Sequence, residues 1–508
     1  MNHIMNKTHI LSIKKNIVAS TIYNFLLVLF NFIGRRLFLA YIGIDYLGIS
    51  GLFLNVISLL SMADLGVGIT INYMLYKPLA EKDYDRISAI IFFYKKIYRI
   101  VIATVSILGI AVIPFINLIV NTDKDFEYLE VYYCLFLLNT ICSYIWCYKS
   151  NVLFADQKNY ILNLTRSVIL FVKISGQILI MVLLRNYIAY LVWEVVITLL
   201  TNLVISAIVS RNYPYLNSQK QLDKSEIISI RDNLKAAFIY RLSAVFMNSV
   251  DNILISMIIG TVVVGYIENY LTITKAITII VGVIFESITA SIGNLVSVSD
   301  DQKKLKAFRA SQLLAFYIAT VSFVCLFILS GDLITLWVGR RYVFDRLTVF
   351  AISFDLYLGI VMRPLWVYRD ATGIYQRTKY IMIIAALLNV VFSIILGNMI
   401  GIAGIVLASS LCRIVTYVWY EPIVLYKLFF KCSAVEYFIG NIKNIMVCCV
   451  TCAAMYLISD KLDVYTTWII FVLKGIFVVV CVSITYYVLY RNKEEYRVLM
   501  AFVDKSKE

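Results

Sequence analysis

Charged and amide side chains recur at helical spacing within segments of the chain that are otherwise apolar. In residues 16–41, Asn24, Asn31 and Arg35 stand at positions i, i+7 and i+11, on one stripe of an α-helix, and Arg36 flanks this stripe. A charge near the centre of a bilayer costs several kcal/mol and normally faces a wet cavity. The pattern therefore predicts ionic and hydrogen-bonded binding of a polar solute inside a membrane.

Other apolar segments carry polar residues in the same way. Glu268, Lys275 and Glu286 share one helix face over about 27 Å, and Lys173 lies seven positions after Arg166. The candidate residues are the cations Arg35, Arg36, Lys275 and Arg363; the residues Asp64, Asp251, Asn252, Glu268, Glu286 and Asp355, expected to line a cavity or couple an ion; and the polar-stripe residues Asn31, Asn248 and Lys173.

Each candidate also has a structural interpretation. Asn24, Asn31 and Asn248 can form hydrogen bonds between helices, and Lys173 can extend its ammonium group to the membrane surface. Asp64 precedes two glycines that permit close packing. Internal ion pairs are the alternative for Asp251, Glu268, Lys275 and Asp355. The arginines at 35 and 36 lie too deep for simple exposure at the cytoplasmic surface, although they can reach the outer headgroups. The sequence leaves these alternatives open.

The composition indicates a polytopic, all-α membrane protein. The 508 residues are 61% hydrophobic and 15% charged, with a mean hydropathy of +0.84, whereas about a quarter of a soluble domain is charged. A spanning helix needs about 20 mostly apolar residues. We predict about 14 spans, at 16–41, 47–76, 90–120, 126–147, 159–184, 187–210, 233–259, 263–296, 308–330, 347–368, 379–398, 402–426, 438–458 and 465–490.

Two segments of the chain are similar in sequence, as expected after an internal duplication. A shift of 217 positions aligns residues 16–48 with residues 233–265 without a gap, and it matches Asn31 with Asn248 and Gly48 with Gly265. About ten identities in about 33 residues exceed chance, and so long a period points to duplicated bundles instead of short repeats. We therefore expect two related halves.

Basic residues predict the orientation. Most lysines and arginines fall in the N-terminal segment and the even-numbered loops, including the clusters Lys303–Arg309 and Arg369–Lys379. By the positive-inside rule both termini are then cytoplasmic. The rule accounts for the net charge of +15, so we expect attraction to anionic membrane lipids and no nucleic-acid partner. Because no cleavable signal pattern precedes it, the first helix is expected to direct insertion.

Patterns for catalysis and metal binding are missing from the sequence. The only two histidines, His3 and His9, precede the first span, and the ten cysteines have no metal-ligand spacing. There is also no P-loop. We therefore predict no catalytic residues, no metal and no cofactor, which leaves transport.

Six short motifs carry a resemblance to a known family. They are Gly43–Gly48, Leu59–Gly68, Leu75–Ala80, Val250–Asn252, Thr289–Asn294 and Leu336–Gly339. With the first helix they resemble the Wzx-type flippases of O-antigen, capsule and teichoic-like polysaccharides, over nearly the whole chain. These flippases belong to the multidrug/oligosaccharidyl-lipid/polysaccharide exporter (MOP) superfamily.

The resemblance implies an architecture. It comprises two pseudo-symmetric six-helix bundles around a central cavity, with two further helices at the C-terminus and alternating access by rocking of the bundles. On this sequence the bundles would occupy residues 1–230 and 231–430, with helices 13 and 14 and a cytoplasmic tail in 431–508.

The resemblance also implies a function in the bacterial cytoplasmic membrane. The substrate would be an undecaprenyl-pyrophosphate-linked oligosaccharide, moved from the cytoplasmic to the outer leaflet for surface polysaccharide biosynthesis. Arginines bind phosphate in bidentate fashion, so Arg35, Arg36, Lys275 and Arg363 would receive the pyrophosphate. A polysaccharide polymerase and glycosyltransferases are the implied partners. Coupling by H⁺ or Na⁺ through Asp64, Asp251 or Glu268, or by the membrane potential alone, stays open.

Three alternatives remain at this level. A cation-coupled multidrug antiporter of the same superfamily would have a cavity dominated by carboxylates. A lipid II flippase would also use an arginine in the first helix, where Arg35 or Arg36 stands. A membrane glycan polymerase is disfavoured because no long external loop is present.

Overall fold

The described part of the chain is helical in all its regular structure. The computed structural model describes residues 7–61, 67–217, 221–222, 227, 245, 249–298, 301–372, 375–460 and 467–505. The α-helices in these residues are α1 (Lys7–Tyr41), α2 (Ile44–Leu60), α3 (Val67–Glu81), α4 (Tyr84–Val112), α5 (Ile116–Ile119), α6 (Leu129–Tyr144), α7 (Ser150–Ala155), α8 (Asn159–Leu179), α9 (Tyr187–Asn212), α10 (Ser249–Ile258), α11 (Thr261–Val298), α12 (Asp301–Trp337), α13 (Arg346–Val361), α14 (Arg363–Thr372), α15 (Tyr375–Val415), α16 (Tyr417–Leu425), α17 (Val435–Asp460), α18 (Trp468–Tyr490) and α19 (Glu494–Lys505). The predicted all-α class is confirmed.

The helices agree with a polytopic membrane protein. Eleven helical segments of the described residues are long and apolar enough to cross a membrane. Two shorter apolar helices, α2 and α10, stand at two more predicted spans. The stretch Tyr380–Phe430 contains two predicted spans and is counted above as one segment. Divided at its kink, it brings the number of apolar helices to the predicted fourteen. Most of the predicted span 233–259 lies outside the described residues, and α10 is its last part.

The kink in α15 separates two predicted spans without a loop. Ile400 and Gly401 leave the helical conformation, and Gly401 has φ 63° and ψ −138°. This positive φ costs glycine little but would strain other residues. The predicted boundary between residues 398 and 402 therefore falls where the backbone turns.

The chain divides into two compact units, Met1–Glu268 and Asn269–Glu508. In the first unit, α1 packs along α8, and α6 packs along α9. In the second unit, α12 is the central helix and contacts α13, α17, α18 and α19. The domain boundaries near residues 230 and 430 stay a prediction.

An asparagine fixes α1 against the start of α8. The Asn16 side chain accepts a hydrogen bond from the Tyr160 backbone N–H at 2.7 Å and donates one to the Gln157 carbonyl at 2.8 Å. Asn16 is the first residue of the repeated segment. Its two bonds set the register in which the polar faces of α1 and α8 meet further along.

Two glycines allow α2 and α11 to cross at short distance. A Cβ on Gly48 would lie 2.1 Å from the Thr261 carbonyl oxygen, and a Cβ on Gly265 would lie 2.8 Å from the Ile44 carbonyl oxygen. The shift of 217 positions carries Gly48 onto Gly265 and Ile44 onto Thr261. The contact is therefore reciprocal, because a glycine of each helix packs against the first turn of the other.

Valine at either glycine is expected to destabilise the first unit. The new side chain would collide with backbone atoms that cannot rotate away, so Gly48→Val should lower the free energy of unfolding by about 1–3 kcal/mol, and Gly265→Val by a similar amount. Thermal unfolding in detergent measures this. Gly282→Ala is the control, because its Cβ would meet nothing within 4 Å. Unchanged unfolding of both valine variants would contradict the crossing.

Candidate functional site

A polar cavity of about 250 Å³ lies inside the first unit. Helices α1, α2, α6, α8 and α9 and the start of α11 contribute its walls. Its polar lining consists of Asn31, Arg35, Ser50, Asn139, Lys173, Gln177, Tyr190, Glu194 and Glu268. Asn31 and Arg35 lie one turn apart on α1, and Lys173 and Gln177 lie one turn apart on α8, so helical periodicity turns each pair toward the same space.

Glu194 on α9 is bound through both of its carboxylate oxygens. Lys173 Nζ donates to Oε1 at 2.5 Å, and Gln177 Nε2 donates to Oε2 at 2.6 Å. The Trp193 indole N–H donates to the Lys173 carbonyl oxygen at 3.0 Å. Lys173 is therefore held by a carboxylate within the bundle and does not need to reach the membrane surface.

A glycine makes this contact between α8 and α9 possible. The indole of Trp193 lies over Gly176, where a Cβ would stand 2.3 Å from the ring. Any larger residue would separate the helices and pull Lys173 away from Glu194. The local sequence thereby explains why the ion pair can form between neighbouring helices.

The carboxylate of Glu268 on α11 is contacted by one residue from each copy of the repeated segment. Arg35 Nη2 lies 3.8 Å from Oε2, and the side chains of this pair are 18% and 9% exposed. Asn252 Nδ2 donates to Oε1 at 3.0 Å. Arg35 and Asn252 are equivalent under the shift of 217 positions, so two related positions contact one carboxylate.

The cavity carries balanced charge. Its two cations, Arg35 and Lys173, face two carboxylates, Glu194 and Glu268. Such a site is suited to a ligand that has both charged and hydrogen-bonding groups, since each cation can exchange part of its interaction with a carboxylate for one with the ligand.

Aromatic rings form one wall of the cavity. Tyr190 stacks near Tyr187, with centroids 6.2 Å apart and planes at 15°, and Phe38 meets Tyr190 edge-on at 5.3 Å. The Ser50 and Tyr187 hydroxyls share a hydrogen bond of 2.6 Å. A flat ring beside hydrogen-bonding groups is a surface on which a sugar can stack.

The remaining cationic candidates do not line this cavity. Arg36 is exposed on α1 and is not part of the cavity lining. Lys275 is exposed on α11 in the second unit. Arg363 begins α14, and its guanidinium lies 5.8 Å from the centroid of the Trp366 ring.

The remaining acidic and amide candidates fall in three groups. Asp251 is partly buried on α10, next to the buried Asn252. Asp64, Asn248 and the side chain of Glu286 lie outside the described residues. Asp355 in the second unit forms an ion pair with Arg413, with Oδ1 3.0 Å from Nη1.

The second unit contains a deeply buried ion pair. Arg369 Nη1 lies 2.7 Å from Glu421 Oε1, and the side chains are 5% and 1% exposed. Arg369 is predicted from the sequence to lie in a basic cytoplasmic cluster, but in the structure its side chain is buried between α14 and α16. The sequence signal was Glu421, a carboxylate inside the predicted span 402–426 that needs a cation.

Several polar residues of the cavity were not among the candidates predicted from the sequence. Ser50, Asn139, Tyr190 and Glu194 all line it without having been predicted. The signal for Glu194 was a lone carboxylate inside the apolar span 187–210. Tyr190 had no comparable signal, because tyrosine is common throughout this chain, which holds 37 of them.

Comparisons with known sequences identify no family. No protein-family model matches the chain. No curated protein matches it significantly either.

Comparisons with solved structures identify the fold. The lipid II flippase MurJ in an inward closed conformation superposes with a TM-score of 0.67 at 15% identity, covering 94% of this chain and 99% of that one. An inward-facing multidrug resistance MATE family transporter of the MOP superfamily gives 0.57 at 14% identity, covering 80% and 98%. A MOP superfamily transporter from Pyrococcus furiosus, reported with a binding pocket of reverse polarity, gives 0.55 at 14% identity, covering 83% and 96%. At these identities the likeness shows that the chain shares the fold of these proteins.

Proposed function

We propose that this protein moves a lipid-linked saccharide across a membrane by alternating access. The observation that carries the proposal is the cavity of the first unit, where Arg35, Lys173 and two carboxylates lie together among helices apolar enough to span a bilayer. Intramembrane charges are costly, and such residues characteristically mark the path of a polar substrate.

The chemistry of the cavity fits the headgroup of such a lipid. Arg35 has the planar donor geometry that binds phosphate oxygens. The ring of Tyr190 and the amides of Asn31 and Gln177 provide stacking and hydrogen bonds for a sugar. A cavity of about 250 Å³ holds a phosphate group or one sugar ring, so the rest of the saccharide and the lipid tail would extend beyond it.

Within this class, we infer a substrate of undecaprenyl-pyrophosphate-linked repeat units for surface polysaccharide. The six sequence motifs support this choice over lipid II. The proposal places the protein in a bacterial cytoplasmic membrane, with a polymerase and glycosyltransferases acting on the same lipid. Arg35, which lines the cavity, is the residue of the predicted cationic set proposed to receive the phosphate, and Glu268 beside it is the carboxylate proposed for coupling to H⁺ or Na⁺.

The expected phenotype of deletion tests this function. Without the protein, lipid-linked oligosaccharide should remain on the cytoplasmic leaflet, because its charged headgroup does not cross the hydrocarbon core unaided. Leaflet position is measured by labelling the saccharide with a membrane-impermeant reagent in intact cells and in inverted vesicles. Expression of the wild-type protein should restore labelling from outside.

An organic-cation antiporter is the second candidate, because two carboxylates line the cavity. In that case deletion should sensitise cells to cationic dyes while the surface glycan stays normal, and Glu194→Gln should reproduce the sensitivity. Normal leaflet distribution of the lipid together with dye sensitivity would reject the flippase proposal.

A further inference from the structure

A second cavity, of about 410 Å³, lies in the second unit at one end of α12. Helix α17, the end of α18 and the start of α19 close its other sides. Its charged residues are Arg309, Glu436, Lys443, Lys493 and Glu495. Arg309 forms an ion pair with Glu436. Lys443 and Lys493 are exposed, and within the described residues no ion pair joins either of them to a carboxylate.

Buried amides line the same cavity. Asn444 is 3% exposed, and its Oδ1 accepts a hydrogen bond from the Tyr490 hydroxyl at 2.9 Å. Gln312 is 5% exposed, and its Nε2 donates to the Val361 carbonyl at 3.1 Å. Gln312 Oε1 has no hydrogen-bond partner among the described residues. A buried acceptor left in this way is unfavourable, and a hydroxyl group of a ligand would satisfy it.

An apolar cleft of about 350 Å³ adjoins this cavity. The two share Leu313 and Tyr490, so one wall separates a basic, polar space from an apolar one. Leu314 on α12, Tyr487 on α18 and Leu499 on α19 also line the cleft. A space that is charged on one side and apolar on the other matches an amphiphile.

The position along the helices matches the surface of a bilayer. The apolar run of α18 ends at Tyr490 and is followed at once by charged residues in 491–495. Helix α19 then packs against α12, and Lys306 Nζ lies 2.6 Å from Glu494 Oε1. Because charged residues and tyrosines mark the interface with water, we expect both cavities to lie near the lipid headgroups.

We propose that the two cavities bind one anionic phospholipid whose headgroup carries hydroxyls. Its phosphate contacts Lys443 and Lys493, a headgroup hydroxyl donates to Gln312 Oε1, and an acyl chain occupies the apolar cleft. All of these residues belong to the second unit, and none of them lines the cavity that contains Arg35. Its occupancy ties α17, α18 and α19 to α12.

Binding of defined lipids to the purified full-length protein tests the site. The probes are phosphatidylglycerol and phosphatidylcholine in nanodiscs or mixed micelles, with binding followed by native mass spectrometry. We expect preference for phosphatidylglycerol, and Lys443→Ala with Lys493→Ala should weaken its binding by about thirtyfold, since two interfacial charges are lost.

A matched control separates the site from general charge. Lys303 and Lys427 are exposed in the second unit but line neither cavity. Replacing both with alanine removes the same charge and should leave phosphatidylglycerol binding unchanged. If both double variants lost phosphatidylglycerol binding equally, the effect would come from surface charge in general, and the proposed site would be wrong.

Two further measurements distinguish the lipid from a free anion. Leu499→Trp fills the apolar cleft and should weaken phosphatidylglycerol binding, while the binding of glycerol 3-phosphate and inorganic phosphate stays as in the wild type. If inorganic phosphate bound as tightly as the lipid and with the same dependence on the lysines, a free anion would be the ligand and the proposal would be wrong. The lysine variants change exposed residues only, so they remain interpretable if the tryptophan variant fails to fold.

Discussion

Alanine at Arg35 is expected to reduce transport by about 100-fold or more, because a charge-assisted, bidentate contact to phosphate contributes about 3 kcal/mol in a desolvated site. Removing the guanidinium also removes the contact between Arg35 Nη2 and Glu268 Oε2. Lysine at position 35 should give an intermediate rate, since it keeps the charge but loses the planar fork. The measurement is the rate of headgroup translocation in proteoliposomes, normalised to folded protein.

Arg36 provides the matched control. It is adjacent in sequence and has the same charge, but it is exposed and lies outside the cavity lining. Arg36→Ala should therefore transport within about twofold of the wild type, as expected for a surface charge. If Arg35→Ala and Arg36→Ala reduced transport equally, lining the cavity would not explain the effect at Arg35, and the proposed site would be wrong.

A second variant tests whether Arg35 serves only to neutralise Glu268. If so, Arg35→Ala combined with Glu268→Gln should recover transport, because the carboxylate that Arg35 contacts is neutral in the double variant. We expect stability to recover while transport stays low, as required for a residue that contacts the substrate.

Replacement of Arg369 by methionine is expected to lower the free energy of unfolding by about 3–5 kcal/mol, the usual cost of leaving one charge of a buried pair uncompensated. The pair with Glu421 is almost completely buried, at 5% and 1% exposure, so water cannot solvate the remaining carboxylate. Thermal or denaturant unfolding in detergent measures the change.

An exposed ion pair serves as the comparison. Lys77 Nζ lies 3.8 Å from Glu81 Oε1, and the two side chains are 77% and 57% exposed. Lys77→Met should lower the free energy of unfolding by less than about 1 kcal/mol. In the second unit, the double change Arg369→Met with Glu421→Leu should recover most of the lost stability. A small effect of Arg369→Met alone would show that the pair is reached by water.

The sequence predicted the helices well because a bilayer imposes one requirement on every span. About 20 apolar residues in a row are needed, and this signal depends on no tertiary contact. The break at Ile400 and Gly401 was placed correctly for the same reason. The burial of Arg369 was missed because that residue stands at the end of a span, where hydropathy alone cannot separate a headgroup position from a buried one.

The candidate site was only partly predictable. The stripe of Asn31 and Arg35 follows from helical spacing, but neighbouring residues differ by about 100° on a helix. Without knowing which face meets α8, the sequence could not choose between Arg35 and Arg36. The partner of Lys173 could not be chosen either, since Glu194 comes from the next helix and the pairing depends on how Trp193 packs over Gly176.

The reciprocal crossing of α2 and α11 has the form of an isologous interface, in which two identical chains offer each other the same patch. A half-length ancestor would form this contact as a homodimer, with one residue type at positions 51 and 268 alike. Glu268 now lies where a Cβ on Gly51 would be 2.8 Å from its Cγ, so two glutamates there would collide and repel. In a single chain that constraint is absent, because positions 51 and 268 can hold different residues. One position can then keep a small residue while the other holds the carboxylate that both Arg35 and Asn252 contact.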